Sequence, residues 1–282
     1  EYLELTEELM EKCRYKEKNG TLDEKAFGTD VEDLMESFGE MIYKIGSIVM
    51  PYWSRWKLHR LFGDDPEMKN SLVCLQMDLD GNPTSEMGHR MLALASFPEV
   101  AECGDGAEFE RRLKKGGGGE ADDDGDGGGD GCGVSAEFRE AYDDYMDKFG
   151  CRGMKEIDVA SPRTSDDVEH FFDRLKRIDV NDNAIKTVRE RKEAAYAKLL
   201  EKATALGKAD KFEYHAGIIQ RLGGYREHPK YLYVYMVAYL RRRALSLGNK
   251  FVEEGRLERP EQIFDLTVEQ IASANDGIGQ GG

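Results

Sequence analysis

The sequence has no apolar run long enough to cross a bilayer: residues 41–53 are short and carry Lys44, where a spanning helix needs about 20 apolar residues. It also lacks an N-terminal secretory pattern, so neither secretion nor membrane insertion is expected, and the protein is placed in the cytoplasm or an organelle. The five cysteines, Cys13, Cys74, Cys103, Cys132 and Cys151, share no CxxC or Cys/His ligand spacing. Reduced thiols of an intracellular protein are expected, with no thiolate metal site. No stretch alternates with period two for long, which argues against a sheet.

What is present is a chain of 282 residues, 40% apolar, enough to build a core in one large or two ordinary domains. The formal net charge of −16 argues against a general nucleic-acid binder. Part of it is concentrated in residues 116–133, which hold ten glycines, five aspartates and one glutamate and no base. Such a segment has nothing to bury and is expected to be a disordered loop. Asp122, Asp124, Asp126 and Gly127 copy the start of a calcium loop, but its twelfth position is Gly133 instead of a bidentate Glu, and no metal is assigned.

Helical periodicity dominates elsewhere. Residues 1–18 and 30–62 read as helices, the second striped by Leu34, Phe38, Met41 and Ile48, with Pro51 expected to break or kink it. The following Tyr52, Trp53 and Trp56 are candidate substrate-binding residues, because tryptophans three apart share a helix face and can floor an aromatic pocket; plain core packing is the alternative. Asp80-Gly81-Asn82-Pro83 is a turn into a helix that Pro98 ends. Ser135 caps a helix that runs to Phe149 and stops at Gly150. Residues 166–175, 184–206 and 211–222 are further helices, and Thr267 starts a last one.

The expected fold class is therefore mostly α, a multi-helix domain with a long disordered Gly/Asp-rich insertion. Its parts are an N-terminal helical portion over 1–103, a low-complexity acidic loop over 104–134, a C-terminal helical portion over 135–275 that packs with the first as one domain, and a flexible tail over 276–282.

The stretch Gly223-Gly224-Tyr225-Arg226-Glu227-His228-Pro229-Lys230-Tyr231 stands out. Pro229 suits the first position of a helix that Gly255 would stop, with Leu232, Met236, Leu247 and Phe251 on one face and Arg241, Arg242, Ser246 and Lys250 largely on the other. Arg226 and Lys230 would then flank a helix N-terminus, where unpaired N–H groups and two cations suit a phosphate or carboxylate. The plainer alternative is a solvated face in which Glu227 pairs with Arg226.

Three stretches in this order resemble the central helical region of the phosphoenolpyruvate synthase and rifampicin phosphotransferase family. Gly81-Asn82-Pro83-Thr84-Ser85-Glu86-Met87 is similar to the family's GN-x-T-x-EM turn. Phe149-Gly150-Cys151-Arg152-Gly153-Met154-Lys155-Glu156-Ile157-Asp158-Val159-Ala160-Ser161-Pro162-Arg163 resembles its YGHRG-x-x-E-x-D-x-x-x-PR segment, with Cys151 where the family usually has His. Arg226-Glu227-x-Pro229-Lys230-Tyr231, followed by Gly255-Arg256-Leu257 and Ile263-Phe264-Asp265-Leu266-Thr267, matches the third.

The resemblance implies a transferase, an ATP-dependent kinase of the dikinase type, in which an ATP-binding domain and a phosphohistidine domain serve a domain that presents the small-molecule acceptor. Only the last is expected here, so this chain by itself is expected to be inactive. None of the five histidines lies in a segment like the family's phosphohistidine loop, and ATP and Mg are expected to bind outside this chain. Arg226 and Lys230 are the candidate catalytic cations, and a rifampicin-like antibiotic, pyruvate or another hydroxyl compound would each suit as acceptor. Arg152, Glu156, Asp158 and Arg163 are expected to form a structural charge network that locks helices. Metal ligation by Glu156 and Asp158 is the alternative, although two carboxylates without a third ligand make a weak magnesium site. No nucleic-acid or membrane partner is expected. The rival from another class is a non-catalytic helical protein-interaction module.

Overall fold

The computed structural model describes residues 2–20, 23–43, 46–115, 133–181 and 183–273. Thirteen α-helices follow one another among them: α1 (Tyr2–Asn19), α2 (Glu24–Tyr43), α3 (Gly46–Phe62), α4 (Pro66–Cys74), α5 (Pro83–Ala95), α6 (Pro98–Glu102), α7 (Gly106–Lys115), α8 (Ala136–Phe149), α9 (Val168–Lys176), α10 (Ala184–Ala205), α11 (Ala209–Leu222), α12 (His228–Glu253) and α13 (Val268–Ala272). Short 3-10 turns lie at Thr164–Asp166, Gly223–Glu227 and Pro260–Asp265. No strand occurs among the described residues, and the fold is mostly α, as the periodicity predicts.

Local chemistry sets the boundaries. Asp65 caps α4, its carboxylate accepting the Glu67 N–H at 2.9 Å, with Pro66 in the first turn. Ser135 caps α8 through the Phe138 N–H at 3.2 Å. Thr267 and Gln270 cap α13 reciprocally, at 2.8 and 3.2 Å. Gly255, with φ of 71°, stops α12 in the left-handed conformation that glycine adopts without penalty.

Several elements differ from the sequence reading. The helix expected over 30–62 is described as α2 and α3, and Pro51 lies inside α3 without ending it; so near the helix start only one ladder hydrogen bond is lost. Pro98 opens α6, where its missing N–H costs nothing. Residues 106–115, placed in the low-complexity loop, form α7, because Phe109 and Leu113 are buried one turn apart. The remainder of that loop to Cys132, with its calcium-like start, and the tail from 276 lie outside the described residues.

The chain groups into two compact units. One comprises Thr84–Met154 and Pro162–Ile185. Its core is aromatic: Phe109 stacks on Phe172 with centroids 4.8 Å apart, Tyr145 stacks on Phe171 at 5.0 Å, and Phe138 meets Phe97 edge-on at 5.3 Å. A Cβ at Gly106 would stand 2.7 Å from the Glu169 Cα, so only glycine lets α7 and α9 approach this closely.

The other unit comprises Glu1–Pro83, Lys155–Ser161 and Lys186–Gly282. Leu58, Phe62, Leu72, Leu199, Phe212 and Ile219 pack α3, α4, α10 and α11 together. Helix α12 is its centre, flanked by α1, α2 and the Pro260–Asp265 turn. Every residue from Val234 to Arg241 is buried, so Arg241 leaves the expected polar face, of which Arg242, Ser246 and Lys250 remain partly or fully exposed: its guanidinium donates to the Val159 and Ala160 carbonyls at 3.1 and 2.8 Å and lies over the Phe264 ring. Buried Asp30 is met by Tyr239 at 3.1 Å, Arg243 at 3.4 Å and Lys16 at 2.6 Å. Burial, and then the Asp30 carboxylate, push the Tyr239 hydroxyl pKa upward.

Candidate functional site

The site grows from close backbone contacts at the start of α12. A Cβ on Gly224 would overlap the Asp80 carbonyl oxygen, and one on Gly223 would come within 2.6 Å of a Leu79 methyl. Two glycines thus let the Gly223–Glu227 turn press on the 79–82 turn. Gly81, with φ of 70°, lies against the Tyr225 ring, and His228 Nε2 is 2.7 Å from the Gly81 carbonyl oxygen. The first and third motifs of the sequence are therefore two sides of one contact.

Part of the second motif lies along the same helix. Lys230 Nζ is 2.7 Å from Glu156 Oε1, a carboxylate whose residue is only 8% exposed. Asp158 closes its own turn by accepting the Ala160 N–H and the Ser161 hydroxyl, each at 3.0 Å. The carbonyls of Val159 and Ala160 receive Arg241, as described above.

Arg226 donates through Nε and Nη2 to one oxygen of Glu227, at 2.9 and 2.7 Å. That bond, and then the neighbouring Tyr52 hydroxyl, hold its pKa above the usual guanidinium value despite the opposing cost of burial. Arg226 and Tyr52 line a pocket with Arg55, Gln76 and Asn82. Its apolar walls include Leu79 and Ile219. In α3 the spacing Tyr52–Arg55 puts both side chains on one face, which brings them to the Gly223–Glu227 turn.

Trp53 and Trp56 are outside that lining and outside the core: Tyr52, Trp53 and Trp56 are 51%, 42% and 48% exposed. The indoles carry cations, with Lys57 Nζ 5.0 and 5.2 Å from the two ring centroids and Arg60 4.9 Å from that of Trp56. Trp53 also meets the His215 ring edge-on at 5.2 Å. His215 Nδ1 is 3.2 Å from the buried Ser54 hydroxyl, and burial, then Lys57, lower its pKa.

Glu156 pairs with Lys230 and Asp158 caps a turn; the Arg152 carbonyl accepts the Thr164 N–H at 2.7 Å, and the Arg163 N–H donates to Asp166 at 3.0 Å. Among the described residues no group of three or more His, Cys, Asp or Glu is arranged to hold a metal ion. The sequence reading missed Arg55, Gln76 and Asn82 as lining residues. Arg55 alone left a signal, its spacing from Tyr52.

Fold and site together define a helical domain with an arginine-bearing pocket at the start of α12. Residues 43–227 match the model of the rifampicin phosphotransferase fourth domain, and the chain belongs to that family. The rifampicin phosphotransferases of Streptomyces sviceus, Bacillus subtilis and another Streptomyces species are 25%, 27% and 28% identical over 234, 233 and 242 residues. Those stretches cover 78% or 79% of this chain and 25% of each relative, so the chain spans about a quarter of the length of the curated relatives it matches. It is a phosphotransferase-family domain.

Proposed function

We propose that the chain is the acceptor-binding helical domain of an ATP-dependent, dikinase-type phosphotransferase of the cytoplasm. A phosphoryl group from ATP would reach a hydroxyl of a small-molecule acceptor held here by way of a phosphohistidine on another domain of the same enzyme. The observation that carries this reading is the pocket in which Arg226 joins Arg55, Tyr52, Asn82 and Gln76, inside the segment that matches the family model.

Phosphoryl transfer asks a protein chiefly to position the partners and to stabilise charge on the moving oxygens. Arg226 is suited to that role, because its planar fork is held along one edge by Glu227 and Tyr52 and remains half exposed. Lys230, one turn further on, is fixed by Glu156 and adds a second cation at the helix start. Leu79 and Ile219 offer apolar surface to the acceptor, and exposed Tyr52, Trp53 and Trp56 extend it along α3. ATP and Mg2+, which supply the phosphoryl group when bound, belong in this reading to domains other than this one.

The test is a transfer assay of the complete protein with ATP, Mg2+ and rifampicin as the first probe, followed by mass spectrometry of the probe and of the protein. Phosphorylated probe is expected from the complete protein and none from residues 1–282 alone. A phosphohistidine formed on residues 1–282 with ATP would overturn this division of labour.

A further inference from the structure

Three lining residues of the pocket, Gln76, Leu79 and Asn82, come from the connection between α4 and α5. Its backbone is held in a costly shape: Asp78, a non-glycine residue, has φ of 45°, and Gly81 follows at 70°. A left-handed aspartate persists only where its surroundings hold it there. On one side α10 does so, with Lys192 Nζ donating to the Asp78 carbonyl at 2.9 Å and Arg189 Nε to the Asp78 carboxylate at 3.2 Å. On the other side His228 Nε2 meets the Gly81 carbonyl at 2.7 Å. A carbonyl only accepts, so Nε2 carries the hydrogen, in the neutral and the protonated ring alike. The imidazole is itself fixed, buried and edge-on to the Tyr225 and Tyr231 rings at centroid distances of 5.2 and 6.5 Å. Leu79 thus lies between two grips on the backbone, and Asn82 directly follows the second.

We propose that Lys192 and His228 are positioning residues for the acceptor, which set the place of the Leu79 and Asn82 wall of the pocket. This rests on the reading of that pocket as acceptor-binding. Neither side chain lines the pocket, so each acts through the backbone that it grips. Released from either grip, the turn has a cheaper shape to fall into, because Asp78 can return to ordinary negative φ and carry Leu79 with it. Arg226 stands on a different segment and keeps its own hold on Glu227. Losing a grip therefore weakens the hold on the acceptor and spares the charge that serves transfer.

Calorimetric titration of the complete protein with rifampicin, beside the transfer assay, tests this. His228→Phe keeps a ring against Tyr225 and Tyr231 without the donor, and Lys192→Met keeps the stem without the ammonium. Each is expected to weaken rifampicin about tenfold, as loss of one hydrogen bond implies, with kcat at saturating probe within about twofold of the unaltered protein. His228→Gln, whose amide nitrogen can take the place of Nε2, is expected to bring affinity back to within about twofold. Lys192, half-buried on α10, carries the test if His228→Phe does not fold. Unchanged affinity in either folded variant overturns the proposal, and so does a His228→Gln protein as weak as His228→Phe. A fall in kcat that matches the loss of affinity also overturns it, by moving the effect to Arg226. Rifampicin that fails to bind the unaltered protein defeats the acceptor reading and this proposal together, whereas binding indifferent to both grips defeats this proposal alone.

Discussion

The unit built from Thr84–Met154 and Pro162–Ile185 buries rings, while the one around α12 buries ions. In the first, Phe109, Phe138, Tyr145, Phe171 and Phe172 pack face and edge. In the second, Asp30 gathers Tyr239, Arg243 and Lys16, and Glu24, 1% exposed, takes Arg256 at 3.3 Å. Apolar packing supplies stability and tolerates many arrangements. A buried ion cluster costs desolvation and accepts few arrangements, and in this molecule it surrounds the helix whose start carries Arg226 and Lys230. The lesson of the contrast is that the second unit is built to fix side-chain positions.

The largest effect should come from the aromatic core. Phe109→Ala, at a fully buried site with rings on three sides, is expected to cost about 3–5 kcal/mol in urea unfolding. A loss under about 1 kcal/mol would break the comparison on that side. Gly224→Ala should cost less, about 1–3 kcal/mol, because the turn at Asp80 must retreat. It should also weaken any ligand of the pocket, since Asn82 and Arg226 stand on the two sides of that contact; calorimetry with rifampicin reads this.

A smaller effect concerns pH. Burial lowers the pKa of His59 and of His215 in the folded state. Between that lowered value and the ordinary value near 6.5, the unfolded chain binds more protons, so stability present above about pH 6.5 should fall as pH drops through the folded pKa. Thermal unfolding from pH 7.5 down to 5.5, with His215→Gln expected to flatten part of the slope, checks the sign. The smallest effect is expected from deleting residues 116–133: glycine and aspartate at this density bury nothing, and loop length adds little closure entropy. The melting temperature should stay within about 2 °C of the intact protein; a larger drop would show that the segment packs or binds an ion.

Much of the fold is legible because its signals are local. Ser135, Thr267 and Gln270, Pro229 and Gly255 mark helix ends through bonds made within a few residues, and motif spacing identifies the stretches that meet at α12. What escapes the sequence depends on distant partners. Arg241 reads as solvated until the carbonyls of Val159 and Ala160 arrive from 81 or 82 residues away. Trp53 and Trp56 read as the floor of an aromatic pocket or as core, yet Lys57 and Arg60 lie over their faces and they stay half exposed, outside the pocket lining. Residues 106–115 read as part of the loop over 104–134, whereas Gly106 serves the close approach of α7 to α9. Arg55 passes unnoticed in the sequence because its pocket is assembled from α3, the turn at Asn82 and the turn at Arg226.

The claim at the centre is that the start of α12 is arranged for charge and that the same residues are dispensable for folding. Turnover and melting temperature measured on one preparation of Arg226→Ala in the complete protein test it most directly. The account predicts a loss in kcat worth about 2–4 kcal/mol with helicity and melting temperature unchanged, and a loss also for Arg226→Lys, whose ammonium cannot reproduce the guanidinium fork. Unchanged turnover in Arg226→Ala would contradict the catalytic role, and a loss of helicity would assign Arg226 to the fold.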